Sequence, residues 1–374
     1  MIEFAPYYYF VYWFVVMLFT IHKFDDIYRC RNYVVLYRSD YYIYLFILLV
    51  FLILFLGFRP ISGAYFGDTS NYAATYRILQ NTGVFDMSEA GGSNSDWLFS
   101  LVMFLCSQVT SVSVFFTIAV FFYLVIMYMG CRKIDTRHGM TLMLCCMGAF
   151  SFYAYAVNGV RNGVACSFVI LALAGVCKGE RILPIILSFI AISCHKSAAL
   201  PIVCMFFSYF IRNPKLMYAV WLGAIGVSLL FGDSIANIMS LVNYDDRLST
   251  LSLKGDEISQ ELGIDLDNRF RWDFLIYSTM PILLGWYTLF VRKVYNNTYL
   301  IILGTYMYAN AFWVLVIRDI FSNRYAYLSW FLYPIVLAYP LFNLPVFEKN
   351  HSQKVAWILL GHFGFTTIMW MLGK

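Results

Sequence analysis

Between residues 158 and 197 the chain gathers the side chains best able to do chemistry. Asn158-Gly159-Val160-Arg161-Asn162-Gly163 opens a long apolar run, and Lys178-Gly179-Glu180-Arg181 forms a basic turn. A second apolar run ends in His195-Lys196-Ser197. If both runs are membrane helices joined at that turn, Arg161 and His195 return to one mouth on the same side of the bilayer. Ionisable groups at membrane depth are costly and mark function by default. The run from Ile182 to Cys194 holds thirteen residues. At ~1.5 Å per residue that is about 20 Å, short of a ~30 Å hydrocarbon core, so His195 is expected below the outer surface. Histidine exchanges protons near neutral pH, which suits a general base; a buried histidine bonded to a neighbouring helix is the alternative. Arg161 has its own alternative, snorkelling to the headgroups, but Asn158, Asn162 and the two glycines around it suit a polar backbone opening.

Two further groups join this mouth. Arg318-Asp319 and Asn323-Arg324 lie between late apolar runs. Arginine's planar, permanently charged fork matches phosphate oxygens two at a time, so several arginines at one outer mouth point to an anion, most economically a diphosphate. Structural ion pairing, as in Arg318–Asp319, is the competing explanation. Upstream, Asp68 or Thr69 reads as a helix N-cap, and Asp68, Tyr72 and Tyr76 recur every fourth residue on one face. A carboxylate beside flat aromatics can hold a sugar, the acid taking hydroxyl hydrogen bonds and the rings covering an apolar sugar face. A capped interfacial helix with its aromatics at headgroup level explains the same pattern.

The elements that position these residues follow from composition. Of 374 residues, 61% are hydrophobic and 13% charged, against about a quarter charged in soluble domains. Apolar runs at about 4–21, 41–57, 112–130, 139–157, 160–177, 182–194, 197–211, 216–232, 273–291, 298–317, 325–342 and 355–372 predict an all-α polytopic membrane protein of about twelve transmembrane helices, forming a single integral domain over 1–374. The first run lacks a basic flank and a small-residue cleavage site, so it reads as a retained span.

Orientation follows from the basic residues in short connections. Lys23, Arg29, Arg31, Arg38, Arg132, Lys133, Arg137, Lys178, Arg181, Arg212, Lys215, Arg292, Lys293, Lys349 and Lys354 fall in alternate short loops, fifteen of the 26 basic residues. Those loops are taken as cytoplasmic. Two longer extracytoplasmic loops, 58–111 and 233–272, then lie opposite, the first carrying a short interfacial helix over 96–107. Loops of that length in compact proteins are usually functional.

The nine cysteines show no metal-type spacing and read as small apolar packing residues. Asp265-Leu266-Asp267 is a weak Asp-x-Asp match in an acidic loop. No P-loop, His-Glu-x-x-His or Gly-x-Ser-x-Gly occurs, which argues against an ATP-driven pump, a zinc protease and a serine hydrolase. Neither cofactor nor metal is expected, and nothing supports nucleic-acid binding.

Four pieces in order give the chain a family resemblance: Asp68-x-x-x-Tyr72-x-x-x-Tyr76, Asn158-x-x-Arg161 with Ala165, His195-x-Ser197-Ala198, and Arg324-Tyr325. Together they resemble the EpsG-like branch of the Wzy-type O-antigen and exopolysaccharide polymerases of bacteria. The chain departs from that pattern twice. Asn162 stands where glutamine is usual, and Asp96-Trp97 where glutamate followed by proline or glycine is usual, so Asp96 is given no role. The resemblance implies a metal-independent glycosyltransferase of the bacterial inner membrane, multi-pass, with its site facing the periplasm. It would transfer a growing undecaprenyl-diphosphate-linked glycan onto a lipid-linked repeat unit, in company with a chain-length regulator. On that reading Arg161, with Arg324 and Arg318, stabilises the departing diphosphate, and His195, or else Asp68, takes the proton from the attacking hydroxyl. Asn158, Asn162, Tyr72 and Tyr76 bind substrate. The rivals are an O-antigen ligase, which passes the glycan to a lipid core, and a flippase for lipid-linked glycans. A structural scaffold leaves the Arg and His cluster unexplained.

Overall fold

The computed structural model describes residues 2–30, 43–85, 96–241, 270–318 and 322–371. Asp319, the Asp265–Asp267 match and most of the 233–272 loop lie outside the described residues. Among the described residues every regular element is a helix. After a short 3-10 turn come α1 (Tyr8–Arg29), α2 (Ile43–Gly57), α3 (Gly63–Phe66), α4 (Thr69–Thr82) and α5 (Trp97–Val109). Next are α6 (Val112–Ile134), α7 (Gly139–Met147), α8 (Phe150–Val157), α9 (Val160–Cys177), α10 (Ile182–Cys194) and α11 (Ala199–Phe210). The last are α12 (Pro214–Leu241), α13 (Trp272–Trp286), α14 (Asn297–Leu315), α15 (Ser322–Trp330), α16 (Tyr333–Asn343) and α17 (His351–Met371).

Among the described residues the apolar runs lie mainly on these helices. Among the described residues seven segments are long and apolar enough to cross a membrane, eight if the bent pair α7–α8 counts as one. The protein is a multi-pass membrane protein. In lipid a helix satisfies its own backbone groups, which is why such runs fold this way. In α2, Leu45, Leu48, Leu52 and Leu56 are buried while Phe46, Ile47 and Leu54 are exposed. A helix apolar on both its packed and its open face fits lipid on the open side. The runs 41–57, 182–194 and 197–211 fold as shorter apolar helices.

The run 139–157 breaks in the middle. α7 and α8 meet at 77°, with Gly148 and the extended Ala149 (φ −81°, ψ 148°) at the corner. A Cβ on Gly148 would come within 2.0 Å of the Phe363 ring on α17. The corner therefore needs glycine because another helix fills the space. Gly148→Ala is expected to destabilise the protein by about 1–3 kcal/mol through overpacking, read as a lower unfolding midpoint in detergent. Truncating Phe363 in the same chain should recover part of the loss.

The chain divides into two compact units, residues 1–203 with 334–374, and residues 204–333. In the first, α6 packs along α9, α9 and α10 form a hairpin, α2 lies on α6, and α1 lies on α17. At the far end of α6, buried Asp135 accepts from the backbone N–H of Arg137 and His138, both at 3.0 Å, and from Asn343 Nδ2 at 2.7 Å. Burial alone would raise this carboxyl. The His138 ring 3.1 Å away and the Asn343 amide outweigh burial and hold it at about 2. Its contribution to stability is present above the ordinary carboxylate range and is lost only as pH falls toward 2.

The second unit is built around aromatic side chains. Tyr277 stacks on Tyr333 at 4.3 Å, Trp330 Nε1 donates to Ser278 Oγ at 2.7 Å, and Trp221 Nε1 donates to Asn310 Oδ1 at 2.9 Å. Pairing these polar atoms removes the cost of burying them.

Candidate active site

The site lies in the first unit, where α4, α5, α9 and α10 meet. The hairpin α9–α10 turns at Lys178–Arg181, so Val160 at the start of α9 and Cys194 at the end of α10 share one end. α4 and α5 close that end from the side. Their apolar faces, Tyr76, Leu79, Phe99 and Met103, pack on Phe115 and Phe116 of α6 and on Val160. This core leaves the polar termini of α5, α9 and α10 facing one another.

At that junction stands Asp96, the N-cap residue of α5, with a side chain only 3% exposed. Its Oδ2 accepts from His195 Nδ1 at 2.9 Å and from Arg161 Nη1 at 3.1 Å. Its Oδ1 accepts the backbone N–H of Lys196 at 3.0 Å. Burial would raise the carboxyl, but the His195 hydrogen bond, the neighbouring cations and the Lys196 N–H outweigh it and hold it below the usual carboxylate range. A carboxylate at Nδ1 fixes that nitrogen as the donor and leaves the Nε2 lone pair as the basic site. The His195 side chain is 23% exposed, and Nε2 has no protein partner among the described residues.

Arg161 is held from two sides. Its Nε donates to Tyr72 Oη at 3.2 Å, while Nη1 is taken by Asp96. Its Nη2 makes no protein hydrogen bond among the described residues, which leaves one edge of the guanidinium for a ligand. The Asp68 carboxylate lies near enough to act on its charge. The next residue, Asn162, accepts at Oδ1 from Ser197 Oγ at 3.2 Å, a second tie between the ends of the hairpin.

Asn158 sits at the α8–α9 break, and its Oδ1 accepts the Asp68 backbone N–H at 2.8 Å. The close approach is possible because Gly67 precedes Asp68. At φ +52° it adopts a conformation that disfavours side chains, and a Cβ there would lie 2.3 Å from Asn158 Oδ1. α4 does begin at Thr69 with Asp68 as N-cap residue, but the carboxylate makes no capping bond; Oδ1 accepts from Asn71 Nδ2 at 3.3 Å instead. Tyr72 joins the site through Arg161. Tyr76 is fully buried on the α5 side, its hydroxyl 2.9 Å from Cys106 O and 2.8 Å from Thr110 O.

The structure thus brings Arg161, His195, Asn158, Asn162, Asp68 and Tyr72 to one place. Arg318 and Arg324 belong to the second unit, where Arg318 Cδ packs 2.7 Å from where a Cβ of Gly232 would be, and Arg324 is exposed on α15. The residue that sequence reasoning misses is Asp96. Its sequence signals are a carboxylate just before an apolar helix and its place where the resembled family usually has glutamate; what identifies it is its partners. Among the described residues no group of three or more His, Cys, Asp or Glu is placed to hold a metal.

No curated protein and no solved structure shows significant similarity to the chain. The sequence profile of the EpsG family, by contrast, matches residues 42–372, nearly its whole length.

Proposed function

The chain belongs to the EpsG family, and from that premise we propose that it is a membrane polysaccharide polymerase. The substrates are two lipid-linked glycans: a growing chain on undecaprenyl diphosphate as donor and one lipid-linked repeat unit as acceptor. The reaction takes place at the periplasmic face of the bacterial inner membrane, with the twelve apolar runs all embedded there and the basic connections inside. The observation that carries this reading is the Asp96 carboxylate joining Arg161 to His195. It places a fixed cation and an oriented base side by side.

In the proposed reaction the acceptor hydroxyl attacks the anomeric carbon of the donor. The glycosidic bond forms there as the bond to the diphosphate oxygen breaks. His195 Nε2 takes the hydroxyl proton, and Asp96 stabilises the imidazolium that results. Arg161 meets the charge developing on the departing diphosphate through its free edge, the electrostatic task that a metal performs in other transferases. Tyr72 keeps that guanidinium in place, and Asp68 with Asn158 lines the approach. A chain-length regulator acts alongside.

The test is chain growth in vitro, from purified protein and lipid-linked repeat unit. The wild type is expected to give a ladder of lengthened glycans, and His195→Ala to slow its growth by about 10²- to 10⁴-fold, the usual worth of a positioned base. A flippase would move the lipid-linked repeat across a vesicle membrane without lengthening it. A ligase would pass it unlengthened to another lipid. Either outcome, or full-length ladders from the His195 variant, rejects the proposal.

A further inference from the structure

Arg59 lies in the first long loop, just after α2, and is 1% exposed. It makes two hydrogen bonds, Nε to Thr69 Oγ1 at 3.2 Å and Nη1 to the Leu56 carbonyl at 2.9 Å. Its guanidinium carbon sits 4.2 Å from the centre of the Phe116 ring, and Tyr8, Tyr72 and Tyr153 are near enough to bear on its charge. Nη2 is buried with no hydrogen-bond partner, and among the described residues no carboxylate pairs with the group. Burial pushes it down to about 10, which leaves it charged at neutral pH.

A buried cation without a counterion is expensive. Its two hydrogen bonds do not account for it, because a neutral amide could make them. The charge itself therefore needs a reason, and its surroundings supply one. Thr69 Oγ1 donates a hydrogen bond to the Val157 carbonyl at 2.7 Å, next to Asn158, which holds Asp68. Tyr72, near Arg59, is the same tyrosine that holds Arg161. Arg161 shares its charge with Asp96; among the described residues Arg59 is not so compensated.

We propose that Arg59 is a positioning residue whose charge offsets the carboxylates of Asp96 and Asp68 around Arg161, so that the site takes a diphosphate group. This rests on the polymerase reading above. Arg59 acts through Tyr72 and the Thr69–Val157 contact, without touching the ligand. In a low-dielectric surrounding such a charge acts over a longer range than it would in water.

The experiment measures affinity directly, on full-length protein purified in detergent, with inorganic diphosphate and with undecaprenyl diphosphate as separate probes. Arg59→Met and Arg59→Gln remove the charge; Arg59→Lys keeps it while losing the two-point clamp. The expected result is binding weakened at least tenfold in both neutral variants and within about threefold of wild type for the lysine. Loss with both probes identifies the diphosphate itself as the ligand, and loss with the lipid alone identifies its membrane-borne form. The apparent KM for the lipid-linked donor should rise in step, with kcat little changed.

A purely structural Arg59 would lower the unfolding midpoint of all three variants while the monodisperse folded fraction bound both probes as wild type does. That result overturns the inference, as does a lysine variant as weak as the methionine one, or neutral variants with no folded fraction at all. Failure of the underlying reading looks different: wild-type protein would bind neither probe.

Discussion

Asp96→Asn is expected to reduce chain growth by about 10²- to 10⁴-fold while the protein still reaches the membrane in normal amount. The change is nearly isosteric, so packing around the N-cap of α5 survives. What it alters is the proton on His195. The carboxylate, 2.9 Å from Nδ1, can only accept, which keeps the Nε2 lone pair free. An amide can turn its NH₂ toward Nδ1 and drive the proton to Nε2, converting the base into an acid. The same substitution removes the negative charge facing Arg161 Nη1, so the guanidinium loses part of its orientation.

The pH dependence should carry the same signature. Asp96 is held below the usual carboxylate range, so it stays ionised wherever histidine titrates. The stability it contributes is present above that range and is lost only as pH falls below it. The acid limb of the wild-type rate profile should therefore carry no ionisation of Asp96. Asp96→Glu, which restores the charge on a longer arm, should recover part of the activity, whereas a merely steric role for Asp96 would favour the asparagine. Wild-type ladder lengths from Asp96→Asn would show that the carboxylate does not orient the base.

Arg161→Ala is expected to cost about 10²- to 10³-fold in chain growth, the loss typical of removing one preorganised stabiliser of developing charge. Arg161→Lys is the sharper variant. One ammonium cannot donate to Tyr72 from Nε, to Asp96 from Nη1 and to a ligand from a third nitrogen in a fixed plane. Lysine should therefore recover less than a tenth of wild-type activity even though the charge is kept. The alanine variant also leaves Asp96 with one cation fewer, so its unfolding midpoint must be measured beside its rate. Growth at the wild-type rate in folded Arg161→Ala would remove the guanidinium from the mechanism.

Much of this molecule is legible in its amino-acid order alone. Twelve apolar runs announce helices, because apolar stretches of that length have few other ways to satisfy a backbone in lipid. The thirteen-residue run 182–194 implies a hairpin that brings Arg161 and His195 to one end. Hydropathy is blind to the 77° corner at Gly148, since both halves of the bent run are apolar, and the residue that demands glycine there is a phenylalanine more than two hundred residues away. Asp68 reads as a helix start, and it is one, but its backbone rather than its carboxylate makes the contact with Asn158.

The membrane class, the helical elements, the family and most of the chemistry-bearing residues are set by local composition and short motifs, which act through hydropathy and spacing along the chain. The partners of those residues are not. Asp96 stands 65 residues before Arg161 and 99 before His195, and Arg59 is fully buried only because α4 and α6 fold over it. Whether a carboxylate orients a base, or a buried cation goes uncompensated, depends on burial and on distances of about 3 Å between distant segments. Only the packing of the helices creates those.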